Sequence, residues 1–188
     1  MNNTSLRQRD FIKICGKCKT VCCYQARPPL TRERMEIIEK HLQREGAAPE
    51  FNQGRYYFPK ERVDGFCSLF DINLGHCLVH QVKPETCVAG PITFDINRRT
   101  GRIEWYLKTK DICPLVGILA KDETLLSEHL SSARTELLRL VNQLEGPALR
   151  AILRIEEENT IKIGEESLPQ PVLDKLKRSN PSGKRANR

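Results

Sequence analysis

The sequence predicts an α+β fold, a small irregular domain containing a β-hairpin and followed by a C-terminal helical hairpin. Three observations predict it. Residues 92–107 alternate apolar and polar positions, residues 126–144 carry a Leu-rich stripe at helical spacing, and residues 54–90 hold three spaced cysteines with almost no hydrophobic period. Of the 188 residues, 39% are hydrophobic. That is enough for a real core and excludes a wholly disordered chain.

The segment up to Pro29 is polar and cysteine-rich. Thr31 is suited to cap a helix that places Met35, Ile38 and Leu42 on one face and stops at Gly46. From Gly54 to Gly90 the weak period implies that something other than hydrophobic packing fixes the chain. Ile92, Phe94 and Ile96 then face Ile103, Trp105 and Leu107 across Asn97-Arg98-Arg99-Thr100-Gly101, which predicts a hairpin over 92–108. Leu126, Leu130, Ala133, Leu137, Val141 and Leu144 form the stripe of a helix ending at Gly146-Pro147. A second helix follows, with Leu149, Ile152 and Ile155 or Glu156 on successive turns. The stripe spans only about three heptads, so packing within its own domain is favoured over a coiled coil.

Charge is uneven. The net +7 includes six basic residues between Pro169 and Arg188 against one acid, Asp174. Residues 1–168 hold 25 basic and 23 acidic residues, a net of +2. The final segment, with Pro169, Pro171, Pro181 and Gly183, reads as a disordered basic tail. A solvated end is favoured over a nucleic-acid contact there. The start, MNNTSLRQRDFIKICG, has no apolar core of a signal peptide. No run of about 18 apolar residues could span a membrane. The expected location is cytoplasmic, where thiols stay reduced.

The eight cysteines carry the chemistry. Cys15-Gly-Lys-Cys18-Lys-Thr-Val-Cys22-Cys23 packs four into nine residues, Cys67, Cys77 and Cys87 follow ten residues apart, and Cys113 precedes Pro114. A Cys-x-x-Cys turn lets two thiolates converge on one ion, with backbone amides pointing at sulfur. The adjacent Cys22-Cys23 pair reaches one centre only through a local bend. Buried cysteine as a small hydrophobe explains Cys22 or Cys113 but not eight. Metal binding through Cys15, Cys18, Cys22, Cys23, Cys67, Cys77, Cys87 and Cys113 is the expected chemistry. The organisation is then a metal-organised cysteine-cluster domain over 1–118, a helical hairpin packed on it over 119–166, and the tail over 167–188.

The run Cys15-x2-Cys18-x3-Cys22-Cys23, with Cys67-Ser-Leu-Phe-Asp, Gly75-His-Cys77-Leu-Val-His80, Lys83-Pro84-Glu-Thr-Cys87 and Cys113-Pro114, resembles the YkgJ-type cysteine-cluster family. This is the CxxCxxCC group, described as a zinc- or iron-chelating domain. The resemblance covers residues 11–118 and includes the helix after Pro29-Leu30-Thr31. It departs where His80 replaces a usual Tyr, Lys83-Pro84 a usual Arg-Pro, and Val88 a common Arg. The resemblance implies metal binding at the cysteine positions. It also implies, through a flagellin lysine methyltransferase carrying the same cluster, an iron–sulfur centre.

Sulfur-only ligation suits either Zn²⁺ or an Fe–S cluster such as 4Fe–4S. The dispersed second half, unlike a pair of zinc knuckles, favours Fe–S. His76 and His80 bracket Cys77 as ligand or outer-shell candidates, with a surface role favoured, and His41 and His129 carry no functional hint. One rival function is a thiol–disulfide oxidoreductase using Cys15 and Cys18, but no strand precedes Cys15 to build its usual βαβ setting. A second is a nucleic-acid-binding metal module using the tail with Arg7, Arg9, Lys13, Lys17 and Lys19. Charge compensation of the thiolates is the favoured role for those lysines. The Cys-x3-Cys-x2-Cys order of a radical S-adenosylmethionine enzyme and Gly-rich nucleotide loops are absent. No catalytic residue is readable. The expected role is redox, metal handling or accessory to a modification enzyme, and the expected partners are a metal ion or cluster and a protein, with nucleic acid not favoured and no membrane.

Overall fold

The computed structural model describes residues 11, 13–15, 17–18, 22–48, 50–155 and 159–177. Thr31 caps α1 (Arg32–Arg44), its hydroxyl accepting from the Arg34 amide at 3.1 Å, and Gly46 ends the helix at φ +72°. Ile38 and Leu42 are buried along one face of α1, as their spacing requires. Two short antiparallel pairs follow, β1 (Phe51–Gln53) with β2 (Tyr57–Pro59), and β3 (Phe70–Asp71) with β4 (His76–Cys77). With α1 they enclose a small core of Leu30, Ile38, Leu42, Cys67, Leu69 and Val79.

A short helix, α2 (Glu85–Ala89), leads into the hairpin β5 (Ile92–Asn97) and β6 (Arg102–Lys108). Ile92 pairs with Leu107, Phe94 with Trp105 and Ile96 with Ile103, so every predicted apolar position lies on one face. The Asn97 side chain accepts from the amides of Arg99 and Thr100, both at 3.2 Å, and Gly101 takes φ +68° to close the turn. After α3 (Val116–Leu119), Asp122 caps α4 (Glu123–Gln143), which buries Ala133, Leu137, Leu140 and Val141 against the sheet. α5 (Gly146–Ile152) follows, burying Ala148, Leu149 and Ile152 in the same core.

The C-terminal part differs from the expectation in three places. α5 stops at Ile152, leaving Ile155 outside the helix and exposed, while Glu156 lies outside the described residues. Thr160–Ser167 forms a strand, β7, antiparallel to β6, so the hairpin is part of a three-stranded sheet ordered β5-β6-β7. Gln170–Lys177 forms a helix, α6, inside what reads from sequence as a disordered tail. Pro171 suits a first helical turn, and Val172 and Leu176, four apart, are buried in the main core. Lys175 Nζ adds bonds to the carbonyls of Asn142 and Leu144 at the end of α4. The basic residues Arg178, Lys184, Arg185 and Arg188 lie outside the described residues.

α5 and α6 meet at Gly146. A Cβ there would stand 2.6 Å from the Lys175 carbonyl oxygen. Gly146→Ala is therefore expected to destabilise by about 1–3 kcal/mol, the usual range for overpacking. Urea denaturation checks it, and an unchanged midpoint contradicts it.

Candidate metal centre

The chain brings the dispersed cysteines together through backbone hydrogen bonds. Phe11, Lys13, Ile14 and Cys15 have helical backbone, and the Cys18 amide donates to the Cys15 carbonyl at 3.1 Å, closing a tight turn between these two thiols. Cys22 and Cys23 both lie in a turn, the bend that their adjacency demands. The Cys67 amide donates to the Cys23 carbonyl at 2.8 Å, and Tyr24 bridges Phe66 alongside. Cys77 is placed by its register opposite Phe70, the third residue after Cys67. Cys87 sits in α2. Cys113 opens the turn before α3, its amide held by the Thr109 carbonyl at 3.0 Å.

Three of the four isolated cysteines have amides aimed at sulfur. The Cys67 sulfur accepts from the Leu69 amide, Cys77 from Val79, and Cys113 from both Leu115 and Val116. An amide pointing at sulfur favours the thiolate over the thiol. These turns form without a Cys-x-x-Cys motif, so the second half of the set builds locally what the first half shows in its spacing.

All eight cysteines are free thiols, and they share one electrostatic neighbourhood. Cys22 acts on Cys15, Cys67, Cys77, Cys87 and Cys113, and it exchanges a hydrogen bond with Cys23. Cys18 acts on Cys15 and Cys113. Desolvation, and then the charge of neighbouring thiolates, pushes Cys87 up strongly. Desolvation dominates at Cys77, pushed up to about 11. The pair at the hub splits. The Cys23 S–H donates to the Cys22 sulfur, which lowers Cys22 and raises Cys23.

Lys83 opposes the thiolates' repulsion at Cys15, Cys22, Cys77 and Cys87, and Lys108 adds to it at Cys22. Clustered thiolates require such compensation. Lys19, Arg7 and Arg9 lie outside the described residues. His80 is held down to about 4 by burial and by the charges of Lys83 and His76. His76 turns its Nδ1 to the Leu74 carbonyl at 3.0 Å.

Among the described residues, no three His, Cys, Asp or Glu side chains already stand in an arrangement able to hold a metal ion. The thiols are gathered but not closed. Their chemistry nevertheless fits a thiophilic ion or cluster, because the donors are mainly sulfur and positive charge from Lys83 and Lys108 faces them. The Cys22 thiolate is accordingly expected to dominate the metal-free protein's reactivity. At pH 7 it should be alkylated at least tenfold faster than Cys77 or Cys87, and acidification should slow it as the thiolate is protonated. Site-resolved mass spectrometry after timed alkylation checks this, and equal rates at the three positions contradict it.

One residue at the site's edge gives no sign in the sequence. His129, in the second turn of α4, points its Nε2 at the carbonyls of Ala89 and Gly90, 3.2 and 3.1 Å away. Nothing in the sequence marks this contact, because its partners lie 40 and 39 positions away.

The family model CxxCxxCC, whose description is "putative zinc- or iron-chelating domain", matches residues 14–114. No curated protein and no solved structure matches the chain.

Proposed function

Because the chain belongs to the CxxCxxCC family, we propose that it binds a thiolate-ligated metal centre, an iron–sulfur cluster or Zn²⁺, drawing its ligands from Cys15, Cys18, Cys22, Cys23, Cys67, Cys77, Cys87 and Cys113. The observation that carries this reading is the folding together of the two halves of the cysteine set, where the Cys67 amide bonds the Cys23 carbonyl at 2.8 Å and Cys22 lies within electrostatic reach of Cys15, Cys67, Cys77, Cys87 and Cys113. Cys67, Cys77 and Cys113 already have amides directed at sulfur. Such bonds stabilise a thiolate ligand.

The protein's own part in this is threefold. Its turns present the sulfurs, its cations offset their charge, and its burial of Cys67 keeps water from part of the set. When bound, an iron–sulfur cluster would supply one-electron chemistry, whereas zinc would supply a cross-link. The dispersed, all-sulfur donor set favours the cluster. The role we propose is redox, metal-handling or accessory to a protein-modification enzyme. Lys83 and Lys108 offset the thiolates here, the role that the sequence suggests instead for Lys13, Lys17 and Lys19.

Anaerobic purification with metal, acid-labile sulfide and absorption analysis tests the reading. A brown protein holding several Fe with matching sulfide is expected. A colourless protein with stoichiometric Zn assigns zinc instead. A protein carrying neither metal, with all eight thiols freely titratable in the native state, overturns the proposal.

A further inference from the structure

His129 stands between the two halves of the cysteine set. On one side its ring meets Phe11 edge to face, with centroids 5.7 Å apart at 86°. Phe11 lies one helical turn before Cys15, on the same face of the turn. On the other side its Nε2 faces the carbonyls of Ala89 and Gly90 at 3.2 and 3.1 Å. These carbonyls lie two and three residues after Cys87, at the C-terminal end of α2, where helical carbonyls lack intrahelical partners.

Both facing atoms are acceptors, so Nε2 carries the proton and donates to them in a shared bond. Burial lowers the pKa of the ring, against the two carbonyls, which raise it. The neighbourhood is tightly packed. Ala133, one turn further along α4, is fully buried and lets α2 lie directly on the long helix. Glu136, two turns along, takes the Arg34 guanidinium. Arg34 in turn donates to the Lys83 carbonyl at 3.1 Å, just before α2. α2 is thus held to α4 at both ends, by Arg34 and Glu136 before Cys87 and by His129 after it.

We propose that His129 is a positioning residue for the metal centre, fixing the separation between the Cys15 turn and the Cys87 helix by contacting both. The inference rests on reading Cys15 and Cys87 as ligands. It also gives the helices beyond residue 114 a part in the site, although they lie outside the family match. An outer contact of this kind acts through ligand placement, and its loss ordinarily weakens metal affinity by about 10–100-fold.

The test uses the full chain, with Zn²⁺ in competition with a chromophoric chelator and Co²⁺ absorption as a reporter of thiolate ligation. His129→Ala should weaken Zn²⁺ binding at least tenfold and reduce the sulfur-to-cobalt charge-transfer band. His129→Gln keeps an N–H donor of similar reach and should recover most of the loss, while Phe11→Leu, which removes only the ring contact, should fall between. In a Cys87→Ser background His129→Ala should add little, because a residue acting through Cys87 has nothing left to position. Equal losses in both backgrounds, or no loss in either, overturn the proposal. In the metal-free chain, Cys87 should be alkylated at least fivefold faster, relative to Cys113, once His129 is Ala. An unchanged ratio overturns the role of His129 alone, whereas a wild-type chain that takes up neither Zn²⁺ nor Co²⁺ overturns the metal reading itself.

Discussion

Chelating the metal from the loaded protein is expected to unfold residues 50–82 while the sheet and the long helix stay folded. The asymmetry follows from the two cores. Sixteen buried apolar residues bind β5, β6, α4, α5 and α6 together, from Ile92 on the hairpin to Leu176 on α6. The core around the irregular segment has six, one of them Cys67 itself. Its strands are two or three residues long, and isolated pairs that short are not stable alone. Metal ligation that couples to folding contributes about 10–16 kcal/mol in small zinc-dependent units, far more than the short strands supply. Hydrogen exchange read by mass spectrometry, before and after anaerobic chelation, checks the expectation. Amides in β1 to β4 should lose at least a thousandfold in protection, and those of β6 and α4 should keep theirs. A uniform loss across the chain, or none, contradicts it.

Arg34→Leu is expected to destabilise the protein by about 3 kcal/mol or more, the usual result of stripping one partner from a buried ion pair. Arg34 is itself buried. It lies 3.8 Å from the fully buried Glu85 carboxylate and bonds Glu136 and the Lys83 carbonyl. Removing it leaves Glu85 with the Thr31 hydroxyl at 2.7 Å as its remaining side-chain donor. Burial already raises the Glu85 pKa, and the Thr31 bond and the Arg34 charge hold it back.

The sign with pH follows. A carboxyl whose folded pKa is raised contributes stability below its unfolded value and loses it as pH rises through the folded one. Arg34 favours the charged form, so its loss matters most where Glu85 is ionised. The stability difference between wild type and Arg34→Leu should therefore be larger at pH 8 than at pH 5. Urea titrations at the two pH values check this. A difference under about 1 kcal/mol at both, the range of an exposed ion pair, contradicts it.

The hairpin and the long helix are legible in the sequence because each carries its own period, and the register of Phe94 on Trp105 repeats what the alternation implies. β7 is not legible. Ile161 is exposed and only Ile163 joins the core from that strand, so TIKIGEES shows no clean alternation. α6 is hidden for another reason. Its few apolar residues sit among prolines and lysines, and it forms because Val172 and Leu176 find a core already built by α4 and α5.

At the site, the cysteines are legible because their chemistry lies in the residue type. Their grouping around Cys22 depends on long-range bonds such as that from Cys67 to Cys23, which spacing does not encode. His129, Arg34 and Glu85 belong to the same class. A buried ion pair or a capped carbonyl shows only when partners distant in sequence are placed side by side.

The bond from Arg34 to Glu136 spans 102 positions. At a synthesis rate of roughly 5–20 residues per second, α1 leaves the ribosome about 5–20 s before the helix that secures it. Cys15 to Cys23 emerge before that interval and Cys67, Cys77 and Cys87 during it, as nascent chain without the surface that later holds α2 in place. The thiols therefore meet the cell's metal and oxidant supply before their scaffold exists. Under the metal reading proposed above, the contacts that place Cys87 become available only once His129 and Glu136 have been made.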